Sequence, residues 1–260
     1  MSAETHMELA GRCAIVTGGA GGIGRSVALA LARAGASICV ADSVSPRDTI
    51  DAIGATGGVA IGSYVDVTRA EEIRAMTAQA EAEFGGVDIL VTTAGVTGFG
   101  SAATLDEREW DRILSINLKG TFLACQSVIE PMRKRGGGRI ITIGSVLAKN
   151  GGNARPWLFP DEQQVSANVA YGASKAGVHA MTAYLARELA ASRITVNGVA
   201  PGPIASDMTT NFPDALKAAI PLGRMGAAAD VAAGVLFFAS AAAAFITGEI
   251  MDINGGMWAD

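Results

Sequence analysis

The sequence predicts an α/β protein: a doubly wound parallel sheet of seven strands with helices on both faces. Three observations predict it. Seven short runs rich in Val and Ile, at 13–17, 37–41, 59–64, 88–92, 139–143, 195–200 and 249–253, alternate with longer Ala-rich stretches. Several of these runs are apolar at every residue, which fits parallel strands covered on both faces rather than half-exposed ones. Half of the 260 residues are hydrophobic and only 17% are charged, against about 25% in an average soluble domain, so much of the chain lies inside a core or an interface. Strand and helix alternating this often is the pattern of a doubly wound sheet.

Each element has a local reason. The first strand, 13–17, runs into a glycine-rich turn and a helix over 24–34, which Gly35 caps. The second strand ends at Asp42. A helix over 70–84 stops at Gly85-Gly86, and helices over 105–119, 121–135, 173–191 and 228–240 fill the later intervals. No linker, repeat or low-complexity tract divides the chain, so it reads as a single domain over 1–260 with a flexible tail at 1–9. One stretch, 149–168, contains Pro and Gly without periodicity; an insertion that long in a compact domain is usually functional. The uncharged run from Val231 to Gly248 approaches the length of a membrane span. It is rich in small residues and ends in strand-like Phe245-Ile246-Thr247, so it reads as a buried helix, a turn and the start of a strand.

The net charge of −5 leaves no basic face for nucleic acid or for an anionic membrane. Cys13, Cys39 and Cys125 are far apart, there is no CxxC, and the histidines are His6 and His179 alone. Neither a metal site nor a disulfide framework is expected. The N-terminus has no apolar leader, which gives a cytoplasmic expectation.

Gly18-Gly19-Ala20-Gly21-Gly22-Ile23-Gly24 lies after the first strand and opens the first helix. Missing Cβ atoms there let backbone N–H groups approach a pyrophosphate, and the helix N-terminus adds positive potential. Two spacings fit: Gly19, Gly21 and Gly24, or Gly18, Gly22 and Gly24. Asp42, about 20 residues on, is placed to accept from the adenosine ribose hydroxyls and to repel a 2′-phosphate, which favours NAD over NADP. Arg25 and Arg47 are the nearby cations. Tyr171 and Lys175 are four apart, on one helix face. A free phenol titrates near 10; a neighbouring ammonium, with the positive nicotinamide of an oxidised cofactor, favours phenolate and makes a proton shuttle to accompany hydride transfer.

With these residues the chain closely resembles the classical short-chain dehydrogenase/reductase family, over nearly all of residues 10–256. Thr17-Gly18-xxx-Gly22-Ile23-Gly24 is similar to its cofactor motif and Tyr171-xxx-Lys175 to its catalytic pair. Ser145 resembles its catalytic serine and Asn117 its catalytic asparagine. Asp66-Val67 resembles the pair at the adenine ring, and Pro201-Gly202, with Ile204 and Ser206, the loop beside the nicotinamide. Ala94-Gly95 falls in the cofactor-binding turn, and Asn254-Gly255-Gly256 resembles the C-terminal strand region. The resemblance implies a Rossmann fold with Tyr171 as general acid/base. Lys175 lowers its pKa and binds the nicotinamide ribose, Ser145 holds the substrate oxygen, and Asn117 holds a water linking Lys175 to solvent. It also implies a homotetramer assembled through helices 121–135 and 173–191.

Three departures stand out. Thr92-Thr93 replaces the family's Asn-Asn before Ala94-Gly95. Ser206 replaces a Thr. Ser145 and Tyr171 are 26 residues apart, about twice the usual separation, and the extra length is the 149–168 insertion, expected to border the substrate pocket as a lid. Arg155, Trp157 and Phe159 are its candidate substrate contacts. The expected function is NAD-dependent hydride transfer on a small-molecule secondary alcohol or ketone: a polyol, sugar or hydroxy acid. A 3-oxoacyl or cyclic-alcohol reductase is the alternative. A non-catalytic NAD(H)-binding scaffold is the competing class.

Overall fold

The computed structural model describes residues 7–152, 167–205, 209 and 214–259. Seven parallel strands form one sheet: β1 (Cys13–Thr17), β2 (Ser37–Asp42), β3 (Ala60–Tyr64), β4 (Ile89–Thr92), β5 (Gly138–Ile143), β6 (Ile194–Pro201) and β7 (Ile250–Ile253). Their spatial order is β3-β2-β1-β4-β5-β6-β7. The order reverses between β1 and β4, the point at which open α/β sheets leave a crevice beyond the carboxyl ends of their strands.

The connecting helices are α1 (Gly22–Arg33), α2 (Arg47–Gly54), α3 (Ala70–Phe84), α4 (Glu107–Leu114), α5 (Gly120–Lys134), α6 (Leu147–Asn150), α7 (Val169–Leu189), α8 (Asp214–Ala218) and α9 (Ala228–Ala239). Strand side chains alternate between two cores, as a period of two requires. Ala14, Val16, Ile38 and Val40 pack with Val27 and Leu31 of α1 and Phe238 of α9. Cys13, Ile15, Cys39 and Ala41 pack with Met76 of α3, Val128 of α5 and Leu189 of α7. All three cysteines are buried, and burial pushes each thiol up to about 12.

The structure corrects several boundaries. The helix expected over 105–119 is α4 followed by a π-helical turn, Ser115–Lys119; periodicity cannot register one extra residue in a turn. Helices α2, α6 and α8 were not expected, because each is too short to show an apolar period. Leu9 is buried and its N–H donates to Ala34 O at 2.7 Å, so a tail flexible through residue 9 is not what the fold has. The uncharged run after Asp230 is α9, a short 3₁₀ turn and the approach to β7. Among the described residues no helix is long and apolar enough to cross a membrane.

Candidate active site

A cleft of about 1520 Å³ lies along the carboxyl ends of the strands. Its floor is the turn from β1 to α1. Gly18 has φ +67°, and a Cβ on it would lie 2.7 Å from Ala94 N. Gly22 has φ +51°, and a Cβ on Gly24 would overlap Gly18 O and Thr93 Oγ1. A Cβ on Gly19 would lie 2.7 Å from Val40 Cγ1 and 3.1 Å from Val16 O, so Gly18, Gly19, Gly22 and Gly24 are the glycines the turn requires. Gly21 adopts ordinary extended backbone with open space around it. Ile23 completes this wall.

Two groups hold the turn from outside. Asp42, at the end of β2, accepts from Ala20 N at 2.9 Å and from Val44 N at 3.2 Å while facing the cleft. Thr49, fully buried on α2, donates to Gly19 O at 3.0 Å. Sequence reasoning missed Thr49 because α2 shows no motif. Thr93 donates to Thr17 O. It thus ties the end of β4 to β1. Thr92 Oγ1 is buried without a partner.

Asp66 and Val67 border the same cleft. The backbone and side-chain hydrogen bonds from Thr68 hold the Asp66 carboxyl below the usual carboxylate range. Ala94, Gly95, Pro201, Gly202 and Ile204 line the cleft farther along. These residues fit a nicotinamide dinucleotide. The turn offers backbone without Cβ atoms at a helix N-terminus, and a carboxylate stands at the end of the neighbouring strand.

Ser145 follows β5, and its hydroxyl accepts from Leu147 N at 3.2 Å. Ser145 and Tyr171 both face the cleft. Lys175, 5% exposed, lies behind this wall. Its Nζ donates to Ile143 O at 2.8 Å and lies 5.8 Å from the Tyr171 ring centroid. A Cβ on Gly95 would come 3.6 Å from Nζ, so that glycine keeps the approach to Lys175 narrow but open. Burial lowers Lys175 to about 8. Burial also raises Tyr171, against a smaller opposing effect of Ser145. The expected lowering depends on an oxidised nicotinamide as well as on Lys175; the protein's own groups leave the phenol raised. In the protein alone, Lys175 is spent on a carbonyl, and desolvation of the phenolate dominates.

Asn117 lies in the π-helical turn and is fully buried. Its Oδ1 accepts from Val96 N at 2.8 Å, and its Nδ2 donates to Val96 O at 2.9 Å and to Ser174 Oγ at 3.0 Å. Ser174 in turn donates to Tyr171 O at 2.7 Å. The side chain is therefore committed to protein partners and ties the loop after β4 to Ser174 and Tyr171 of α7. The wide π turn opens the helix here, and Thr121 Oγ1 donates to the Asn117 carbonyl at 2.7 Å.

The ends of the insertion border the cleft. Lys149 pairs with Asp252 of β7 at 3.0 Å, and Gly100 N donates to Ala167 O at 2.8 Å. Arg155, Trp157, Phe159 and Ser206 lie outside the described residues, as does most of the 149–168 stretch. Among the described residues no group of His, Cys, Asp and Glu could hold a metal.

The family described as "Enoyl-(Acyl carrier protein) reductase" matches residues 18–258. The chain is 40% identical over 260 residues to the 3-oxoacyl-[acyl-carrier-protein] reductase FabG of Escherichia coli (strain K12), covering 97% of this chain and 99% of that one. A short-chain type dehydrogenase/reductase from Mycobacterium marinum superposes with TM-score 0.91 at 36% identity, over 100% of both chains. A candidate 2-deoxy-d-gluconate 3-dehydrogenase from Agrobacterium tumefaciens, with bound NADP, superposes with TM-score 0.86 at 32% identity, over 96% of this chain and 98% of that one.

Proposed function

The chain belongs to the short-chain dehydrogenase/reductase family of oxidoreductases, and on that premise we propose that it reduces the ketone of a 3-oxoacyl thioester with NADH. One observation carries the substrate class. The cleft beside Ser145 and Tyr171 is walled by Val96, Phe99, Val146, Leu147 and Ala148, an apolar surface suited to an acyl chain and offering little to the hydroxyls of a polyol. Similarity to the E. coli reductase supports the same reading. Asp42 carries the choice of NADH, because its carboxylate faces the cleft where a 2′-phosphate would meet it.

When bound, the nicotinamide supplies the hydride. The chain's own residues do the rest. Ser145 and Tyr171 hydroxyls converge on one substrate oxygen, stabilising the charge that develops there. Tyr171, raised by burial, is held protonated and donates its proton to that oxygen. The Lys175 ammonium over the ring stabilises the phenolate left behind. Asn117, through Ser174, keeps Tyr171 in register with the loop after β4. Exposed Phe122 on α5 and Tyr184 on α7 support assembly as a homotetramer.

The test is a turnover panel of acetoacetyl thioester, polyols, sugar acids and cyclic alcohols, with NAD(H) and NADP(H). We expect the thioester with NADH to give the highest kcat/KM, and Tyr171→Phe to lose at least about 100-fold, the scale of general acid/base catalysis. Faster oxidation of a sugar acid or polyol would overturn the substrate class. Equal efficiency with NADPH would overturn the role of Asp42, and full turnover in Tyr171→Phe would overturn the mechanism.

A further inference from the structure

Ser145 must be aimed, and the sheet does not aim it alone. The β4–β5 ladder ends at Thr92 opposite Thr142. Beyond it, Gly144 N donates to Val199 O at 2.8 Å and Val146 N to Pro201 O at 3.0 Å, both toward β6. The N–H of Ser145, between them, points to the side where β4 has already stopped. A buried N–H without a partner is costly. Here His179 of α7 provides the acceptor: its Nε2 lies 3.3 Å from Ser145 N.

The surroundings are shaped for this contact. His179 follows Lys175 by four residues and Tyr171 by eight, so the three share one face of α7. A Cβ on Gly144 would overlap His179 Nε2, so the residue before the serine is one that leaves room for the ring. An imidazole nitrogen accepts only when it carries no proton, which places the ring proton on Nδ1.

We propose that His179 is a positioning residue: its neutral ring, accepting at Nε2 from the Ser145 N–H, fixes the turn that aims the Ser145 hydroxyl at the substrate oxygen. The proposal rests on the reaction given above for Ser145 and Tyr171. It assigns His179 no contact with substrate or cofactor.

Two measurements test it. The chain has two histidines, His6 and His179, so nitrogen NMR of the rings at pH 8, with His179→Gln to assign the signals, reads the tautomer directly. A proton on Nδ1 of His179 is expected; a proton on Nε2 overturns the proposal. In turnover, His179→Leu is expected to lower kcat about tenfold, the scale of one neutral hydrogen bond, with NADH affinity by fluorescence unchanged. His179→Gln, which keeps an acceptor, is expected to stay within about threefold of wild type. The Ser145→Ala/His179→Leu double variant is expected to be no slower than Ser145→Ala, because the ring acts only through the serine. Full kcat in His179→Leu, or losses that multiply in the double variant, overturn the proposal. If His179→Leu does not fold, the tautomer and His179→Gln decide. Full turnover in Tyr171→Phe would instead overturn the reaction itself and leave the tautomer result standing.

Discussion

Lys175 carries a charge into the interior, and its cost can be read from pH. Its pKa falls from 10.5 to about 8 because burial penalises the ammonium. The penalty, on the order of 3 kcal/mol for such a shift, is fully present below pH 8, where both states are charged. Between 8 and 10.5 the unfolded chain holds the proton more tightly, so stability rises with pH. Tyr171, whose pKa is raised, acts with the opposite sign above 10. From pH 8 to 10 the wild type should therefore gain about 2 kcal/mol relative to Lys175→Met in urea unfolding. A pH-independent difference between the two would mean that burial does not lower the pKa of Lys175. The penalty accompanies function: the same ammonium stabilises the phenolate that Tyr171 becomes.

At the level of elements, the two ends of the sheet divide the work. The carboxyl ends hold the cleft, while the opposite end is held by a charged cluster at the start of β4. Asp88, 3% exposed, accepts from Arg12 at 2.9 Å, from Arg135 Nη2 at 3.1 Å and from Cys13 N at 2.9 Å. One carboxylate thus joins the start of β1 to the end of α5. Asp88→Asn should cost about 2–3 kcal/mol in urea unfolding, because it leaves two arginines around a group that no longer balances them. NADH affinity should not change, since the strand separates Asp88 from the cleft. A loss of affinity without loss of stability would contradict this division. At the other end, Thr49 and Asp42 hold the glycine turn by its backbone, so α2 serves the cleft although it contributes no motif.

The whole molecule leaves apolar surface uncovered. Tyr184 is 76% exposed and Phe122 42%, on the two helices expected to pair between subunits. The low charge fraction motivates the same expectation, since a surface buried by a neighbour needs few charges. Light scattering at micromolar concentration should give four chain masses, and Tyr184→Glu should lower the assembly state without changing the fold by circular dichroism. A wild-type monomer would refute the tetramer.

The sequence by itself determined the seven strands and a doubly wound sheet, because the central parallel strands, covered on both faces, are apolar at nearly every position. The glycine turn, Asp42 at a strand end and the Tyr171–Lys175 helical spacing show in one dimension, whereas Ser145 and Asn117 stand out only by resemblance to the family. The tertiary structure decided what depends on contacts between distant segments. It showed which glycines of the turn are constrained, Gly18 and Gly22 by positive φ and Gly18, Gly19 and Gly24 by close neighbours, while Gly21 has open space. It gave the Asn117 side chain its partners in Val96 and Ser174, and it buried Tyr171 so that its phenol is raised. It brought Thr49 to the glycine turn and His179 to Ser145. Desolvation and hydrogen-bond partnership are set by what surrounds a group in three dimensions, and neither has a period that the chain can display.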